Sequence, residues 1–537
     1  MRSRNLIAMM MTILTPMMMF AQSVTGKVTS EAGDPLTNAN IVVVGTEMGT
    51  VSNDMGEFTL DLSAGDYTIT ATVIGFKPLS QEVVVAEEVV NMNFVLALNV
   101  IELSDIEVLA SRADDKTPVA YTTVGKEELE FRLGSQDVPM ALNTTPSVYA
   151  TQQGGGAGDA RINVRGFNQR NVAVMINGVP QNDMENGWVY WSNWDGVADA
   201  AQSIQMQRGL SAVNLATPSI GGTLNIITNP ASADKGGKFK QEGGAGNFLK
   251  TTFNYNTGLM MGDKLALSGT LVRKTGDGII DATWTDAWAY YLGGSFQANE
   301  NNRFELYAIG APQRHGQNLY KQNIATYSQE LAGDVDGYDE GAYAEGAKFE
   351  TEAGRTFNQN WGPVSSDYTG KQYWYMYGVG GMFGGGNQPR YNSNFLNERE
   401  NFFHKPLVNL NHFMTINDKT RLSSVLYWSG GSGGGTGTYG SSFRKPAVDG
   451  QKWYRSSPWG WDWDAAIATN SDRVDTDFHA TENRSKGILR NSINRQDTYG
   501  LISKLNYEVS DELELQVGLD WRTAGIEHAR EVRDLLG

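Results

Sequence analysis

Aromatic side chains are the residues of this sequence best suited to act on a ligand. Residues 181–194 hold Trp188, Tyr190, Trp191 and Trp194, and residues 453–463 hold Trp453, Tyr454, Trp459, Trp461 and Trp463. A third group is Tyr373, Trp374, Tyr375 and Tyr377. Such rings stack on sugars, peptides or aromatic chelators, and hold cations over their faces. They suit equally the packing of a loop on its own scaffold, the commoner fate of a large aromatic. Trp188, Tyr190, Trp191, Trp194, Trp459, Trp461 and Trp463 are thus the candidate ligand-binding residues, with self-packing as the competing role.

Covalent chemistry has no comparable set. The chain contains no cysteine, which excludes thiolate metal sites, cysteine nucleophiles and disulfides. His315, His404, His412, His479 and His528 are scattered and form no zinc spacing. Asp334, Asp336, Asp339 and Glu340 cluster, but Gly337 sits wrongly for a calcium loop. Residues 430–434 match the letters of a nucleophile elbow, and residues 435–440 those of a dinucleotide fingerprint. No helix follows either, so both reflect glycine density in a loop. No phosphate-binding loop ending in Gly-Lys-Ser or Gly-Lys-Thr is present, so any active transport must draw its energy from another protein. The expectation is a non-enzyme with no cofactor and no bound metal. A net charge of −17 lacks the basic footprint that a nucleic-acid partner needs.

The elements that must position the aromatics are strands. Residues 1–21 read as a secretory signal: Arg2 and Arg4 precede an apolar run too short to span a bilayer as a helix. Residues 22–98 carry strands at 24–29, 40–44, 57–62, 67–73, 82–85 and 91–96. Turn signals separate them, which predicts a β-sandwich. Residues 99–118 form a linker. The unit at 119–232 opens with helices at 126–131 and 135–143, the second capped by Ser135. Strands follow at 161–167, 172–176, 204–209 and 220–229, and Asn177-Gly178 marks a two-residue hairpin.

From 233 the pattern changes to long strands of clean alternation. Leu513, Leu515, Val517, Leu519 and Trp521 fall on one face, with Glu514, Gln516, Asp520 and Arg522 on the other. Phe253, Tyr255 and Leu259 likewise oppose Thr252, Asn254 and Asn256. Short turns at 259–263, 298–302, 417–419 and 510–511 alternate with long connections at 275–285, 312–401 and 430–496. That pattern predicts a transmembrane barrel with short turns in the periplasm and long loops outside. Roughly nine strands are counted, the last ending near Thr523 with 526–537 in an external loop. An odd count, where such barrels are even, makes the chain read as part of a barrel.

Four ordered motifs carry a family resemblance: Arg165-Gly166-Phe167, residues 176–180 (Ile-Asn-Gly-Val-Pro), Gln207-Arg208-Gly209, and residues 221–228 (Gly-Gly-Thr-Leu-Asn-Ile-Ile-Thr). In that order they resemble the plug domain of TonB-dependent outer-membrane receptors. The order Gly26-Lys27-Val28, Asp34-Pro35-Leu36, residues 39–43 (Ala-Asn-Ile-Val-Val), residues 54–58 (Asp-Met-Gly-Glu-Phe) and Gly65-Asp66-Tyr67 resembles the carboxypeptidase-regulatory-like domain, which carries no catalytic residues. Residues 103–112 resemble the TonB box, with Asp105, Ile106, Glu107, Val108 and Leu109 as the TonB-binding segment. An extended β-prone segment with loose flanks can add itself as a strand to a sheet edge.

The resemblance implies a mainly β chain: signal peptide, sandwich, small α+β plug, then the first part of a transmembrane antiparallel β-barrel. It implies an outer-membrane importer of a scarce ligand (iron chelate, cobalamin-like ligand, peptide or glycan), with its sandwich in the periplasm as spacer or docking module. Its partners would be TonB, outer-membrane lipid, the substrate and the barrel-assembly machinery. Ile176-Asn177-Gly178-Val179-Pro180 departs from the pattern of glycan importers and favours the other ligands. The rival is a non-transporting adhesin or structural β-protein, which would need neither TonB box nor plug.

Overall fold

The computed structural model describes residues 22–30, 33–46, 48–73, 76, 78–86, 89–97, 119–154, 158–209, 217, 219–320, 322–341, 352–370, 372–374, 386–388, 390–441, 443–448, 458–510 and 512–537. The expected signal at 1–21 and the expected TonB box at 105–109 lie outside these residues, as do Trp453, Tyr454, Tyr375 and Tyr377. Two compact units divide at Ile106 and Glu107.

The first unit is the expected sandwich. Glu57–Leu62, Gln22–Ser30 and the short strands Val90–Asn91 and Phe94–Leu96 make one sheet; Gly49–Val51, Asn40–Val43, Gly65–Thr72 and Leu79–Val85 make the other. Strict alternation, as in Phe58, Leu60 and Leu62, sends one face of each sheet inward. Phe58 and Phe94 meet across that core with ring centroids 5.9 Å apart.

In the second unit a five-stranded sheet organises the plug. Val172–Ile176 runs parallel to Gly222–Ile227, which pairs antiparallel with Ser203–Arg208, and Ala120–Gly125 closes the edge. Both faces are covered, so Val172–Ile176 is apolar throughout rather than alternating. Asn177 and Gly178 have φ of 49° and 82°, the double left-handed geometry of a tight hairpin. The helix Lys126–Leu133 forms, but Ser135 caps nothing. The second expected helix shrinks to one 3₁₀ turn, Val138–Leu142, because Asp137 points into the plug and accepts from Gly158 N at 2.9 Å and Ala160 N at 3.0 Å.

The wall is a continuous antiparallel sheet of nine long strands: Gly236–Gly244, Phe248–Met260, Leu265–Gly276, Thr285–Asn299, Asn302–Gly310, Leu407–Asn417, Thr420–Gly440, Gly487–Ser510 and Leu513–Asp534. Two short strands, Gln313–Gly316 and Glu400–His404, extend it where Thr285–Asn299 and Thr420–Gly440 outreach their neighbours. The expected outward residues are exposed: Phe253, Tyr255, Leu513, Leu515, Val517, Leu519 and Trp521 form part of an apolar belt. Inward faces meet the plug, with Tyr291, Tyr307, Leu407, Tyr427 and Ile502 joining its core. No described helix is long and apolar enough to cross a membrane, which says nothing about crossing by strands.

Two expectations about the wall are corrected. The expected loop at 430–496 shortens to 441–486, because the glycine run lies inside the strand Thr420–Gly440. There the glycines are steric. A side chain starting at Gly434 would stand 2.0 Å from Ser492 O, and one at Gly433 2.1 Å from Phe402 O. The last strand also runs past Thr523 to Asp534, and the following residues dock on the helix Trp463–Ser471, where Asn470 Nδ2 donates to Leu536 O at 2.7 Å.

Candidate functional site: the cleft between plug and wall

The aromatic segment after the hairpin is held by side-chain amides. Asn182 accepts from Val174 N at 2.9 Å and donates to Val172 O at 3.0 Å, fixing the segment to the central strand. Asp183 accepts from Glu185 N and Asn186 N, both at 3.0 Å, which folds the tip into a tight turn. Gln169 receives Trp191 Nε1 at 3.1 Å and donates to Val189 O at 2.7 Å. Buried amides paired on both ends rigidify the loop.

This arrangement divides the seven candidate aromatics. Trp191 and Trp194 are buried in the plug core, and Trp459, Trp461 and Trp463 in a separate loop core. For these five, self-packing is the role the fold gives them, and none offers a free ring face in this conformation. Trp461 stacks on Trp463 at 5.1 Å and meets Trp459 edge-on at 5.0 Å. Trp188 keeps a partly open ring between the guanidinium groups of Arg161 and Arg170, at 5.1 and 4.9 Å. Tyr190 is 46% exposed and lines a cleft.

The cleft lies between the plug tip (Asp183, Glu185, Tyr190) and the inner wall (Phe403, Lys405, Gln496, His528), towards the strand ends that carry the long connections. A cation at Lys405 stands 6.0 Å over the Trp194 ring. His528 bridges the gap, with Nε2 2.9 Å from Glu185 Oε2 and Nδ1 2.6 Å from Asn494 Oδ1. The cavity beside this bridge has a volume of about 110 Å³.

Below the cleft the plug is moored by buried charge that sequence reading missed. Lys274 Nζ lies 2.9 Å from Asp195, and Lys250 Nζ 2.8 Å from Asp199. Both lysines are buried, and they stand directly opposite each other on neighbouring strands. Burial pushes Asp199 and Asp137 above the usual carboxylate range, although Lys250 and Lys274 respectively oppose the shift. Tyr307 Oη donates to Glu305 at 2.8 Å and also lies 3.3 Å from Thr228 O of the plug, the alternative acceptor for its one hydrogen. The only local signal for these moorings was a lysine at inward parity, such as Lys250 in line with Thr252 and Asn254.

A further mooring, at Asp159, is pH-sensitive. Burial alone would raise this carboxyl, but hydrogen bonding and the charge at His315, with Gln317 Nε2 at 3.1 Å, hold it below the ordinary range. A depressed carboxylate contributes stability that is complete above its unfolded pKa of about 3.9 and is lost as pH falls through the lower folded value. The contribution of this carboxylate should therefore be complete at about pH 5 and weaken below about 4. Asp159→Asn should remove that acid limb of the plug's unfolding midpoint measured against pH; an unchanged limb would refute the assignment.

Comparison with known proteins agrees with this architecture. Residues 24–108 match the family model CarboxypepD_reg-like domain, and residues 113–223 match TonB-dependent Receptor Plug Domain. The ferric enterobactin receptor of Pseudomonas aeruginosa is 25% identical over 198 residues, covering 33% of this chain and 26% of that protein. Among solved structures, the ferric-catecholate import receptor Fiu of E. coli K12 is 13% identical with TM-score 0.46, covering 77% of this chain and 50% of its own. P. aeruginosa FpvA bound to a heterologous pyoverdine is 9% identical with TM-score 0.49, covering 81% and 47%. The chain spans about half the length of those solved relatives, and the match takes in about a quarter of the curated one. The chain thus carries a CarboxypepD_reg-like domain and a TonB-dependent Receptor Plug Domain, followed by an antiparallel wall of long strands.

Proposed function

We propose that the chain is the plug-bearing part of an outer-membrane importer that takes up a chelated metal, an iron chelate foremost, with energy supplied through TonB. The observation that carries this reading is the moored plug. It packs against the inner face of the wall and is held there by buried ion pairs, so displacing it requires work. An adhesin would have no use for such a plug. The names of the relatives, a ferric enterobactin receptor and a ferric-catecholate import receptor, support iron chelates over the other ligands. In this reading the sandwich at 22–98 lies in the periplasm, residues 99–118 link it to the plug at 119–232, and the wall occupies 233–537. Trp188 and Tyr190 are the ligand-facing aromatics.

Residues 105–109 test the energy coupling. Strand addition uses backbone N–H groups, and proline has none. In cells carrying the full-length protein, Val108→Pro should leave binding of ferric enterobactin intact and reduce its energised uptake to the level without TonB. Val108→Thr keeps the donor and the β-branch and should be nearly silent. Uptake that persists in Val108→Pro and Ile106→Pro alike would overturn the coupling.

A further inference from the structure

Of the two buried lysines that moor the plug, Lys250 is placed for a reaction. Its partner Asp199 ends the 3₁₀ turn Val197–Asp199. Gly196, at φ 83°, lets that turn press onto the wall, since a side chain there would begin 2.5 Å from Ala289 Cβ. Lys250 Nζ stands 2.8 Å from Asp199 Oδ1, and Glu242 Oε2 lies 3.7 Å from the same nitrogen. Register sets Glu242 directly opposite Lys250 on the neighbouring strand. The side chains of Lys250 and Asp199 are 4% and 8% exposed, so water has little access to either.

As an ion pair this group is poorly satisfied. Asp199 Oδ2 is buried without a hydrogen-bond partner. Burial pushes the Asp199 carboxyl above its usual range, although the charge of Lys250 and its hydrogen bond oppose the shift. An ammonium and a carboxylate out of water both carry a desolvation cost, and a stranded oxygen adds to it. Condensation to an amide removes what is unsatisfied. One carboxyl oxygen leaves, two charges vanish from the interior, and a single N–H remains where an ammonium had three. Asp195, the partner of Lys274, has no oxygen stranded in this way.

We propose that Lys250 and Asp199 condense to an isopeptide bond that joins plug to wall, with Glu242 as the proton carrier. Glu242 takes one proton from the ammonium, and the resulting amine attacks Cγ of the protonated Asp199 carboxyl. A second nitrogen proton passes by way of Glu242 to the departing hydroxyl. The N–C bond forms, the C–O bond breaks, one water leaves, and Glu242 keeps the first proton. No oxidant, metal or co-reactant is consumed. Reactants held in contact by the fold supply the high effective concentration that such a step needs.

Tryptic mass mapping of the full-length protein purified from cells tests the bond. Trypsin should release residues 171–208 still joined to residues 241–264, lighter than the two peptides by one water and uncut at Lys250. The chain has no cysteine, so no disulfide can imitate that pair. Lys250→Arg keeps the charge and should give separate peptides, and Lys274 should be cut normally in every protein. Glu242→Gln, followed as it refolds from urea into detergent, should join at least about a hundredfold more slowly, the scale of general acid–base catalysis. Heat-modifiable migration identifies the folded fraction of each variant, and only that fraction is mapped. Folded wild type that yields residues 171–208 and 241–250 apart would overturn the proposal. Joining at the wild-type rate in Glu242→Gln would overturn the role of the carrier. The bond needs neither ligand nor TonB, so its test stands apart from the importer reading.

Discussion

Lys274→Met should loosen the plug from the wall by roughly 3–5 kcal/mol, the scale for removing one member of a buried ion pair. The loss comes from what is left behind. Asp195, 2.9 Å from the ammonium, and the nearby buried Asp137 would keep their desolvation cost without the cation that offsets it. Arg273 is the internal control. It is the adjacent residue, pairs with Asp286 on the outer side, and is a third exposed, so Arg273→Met should cost well under 1 kcal/mol. Combining Lys274→Met with Asp195→Asn should recover much of the loss, because no unpaired charge remains at that position. Unfolding midpoints of the four proteins in detergent decide the matter. If Lys274→Met behaves like Arg273→Met, the pair is not a mooring.

Gly222→Val should have an effect of similar or greater size, on the plug itself. Gly222 stands at φ 149°, a region that favours glycine, and a side chain there would begin 2.2 Å from Gln207 O on the paired strand. Relief requires the central pairing between Ser203–Arg208 and Gly222–Ile227 to separate at its end. A cost of about 4 kcal/mol or more is expected, in the range reserved for forced backbone strain and overpacking. Gly236→Val, at a wall glycine with nothing within 4 Å, should be nearly neutral. Limited proteolysis of the plug, read at equal protein load, separates the two. Equal protection of both variants would show that this glycine is incidental.

That glycine also explains what could be read from the residues alone. The motif at 221–228 is visible in sequence because close backbone approach restricts the residue type at Gly221 and Gly222, so the constraint is written locally. The hairpin at Asn177-Gly178 is legible for the same reason: its two positive φ values admit few residues. The wall's alternation is legible because lipid and plug impose opposite chemistry on successive side chains. The glycines of Thr420–Gly440 misled because density in sequence does not distinguish a loose loop from a strand crowded by neighbours. The moorings were hidden by distance: Asp195 and Lys274 are separated by 79 positions, and nothing near either announces the other. Five of the seven candidate aromatics became core because burial is decided by tertiary neighbours, and a tryptophan carries no mark of which side it will face.

The tryptophan core of the outer connections has a kinetic consequence. Trp459, Trp461 and Trp463 pack with Val364 and Leu396 from the preceding long connection, with Leu489 of the strand Gly487–Ser510 and with Leu536, which follows the last strand. The two connections and the segment after the last strand therefore share one hydrophobic nucleus. Loops built this way cannot fold over an arriving molecule one at a time, because moving one exposes the core of all. In the importer proposed above, capture would then not require the described parts of these connections to become ordered, a step that slows association and subtracts from affinity. In that reading, discrimination beyond the rim would lie deeper, at the bridge between His528 and Glu185.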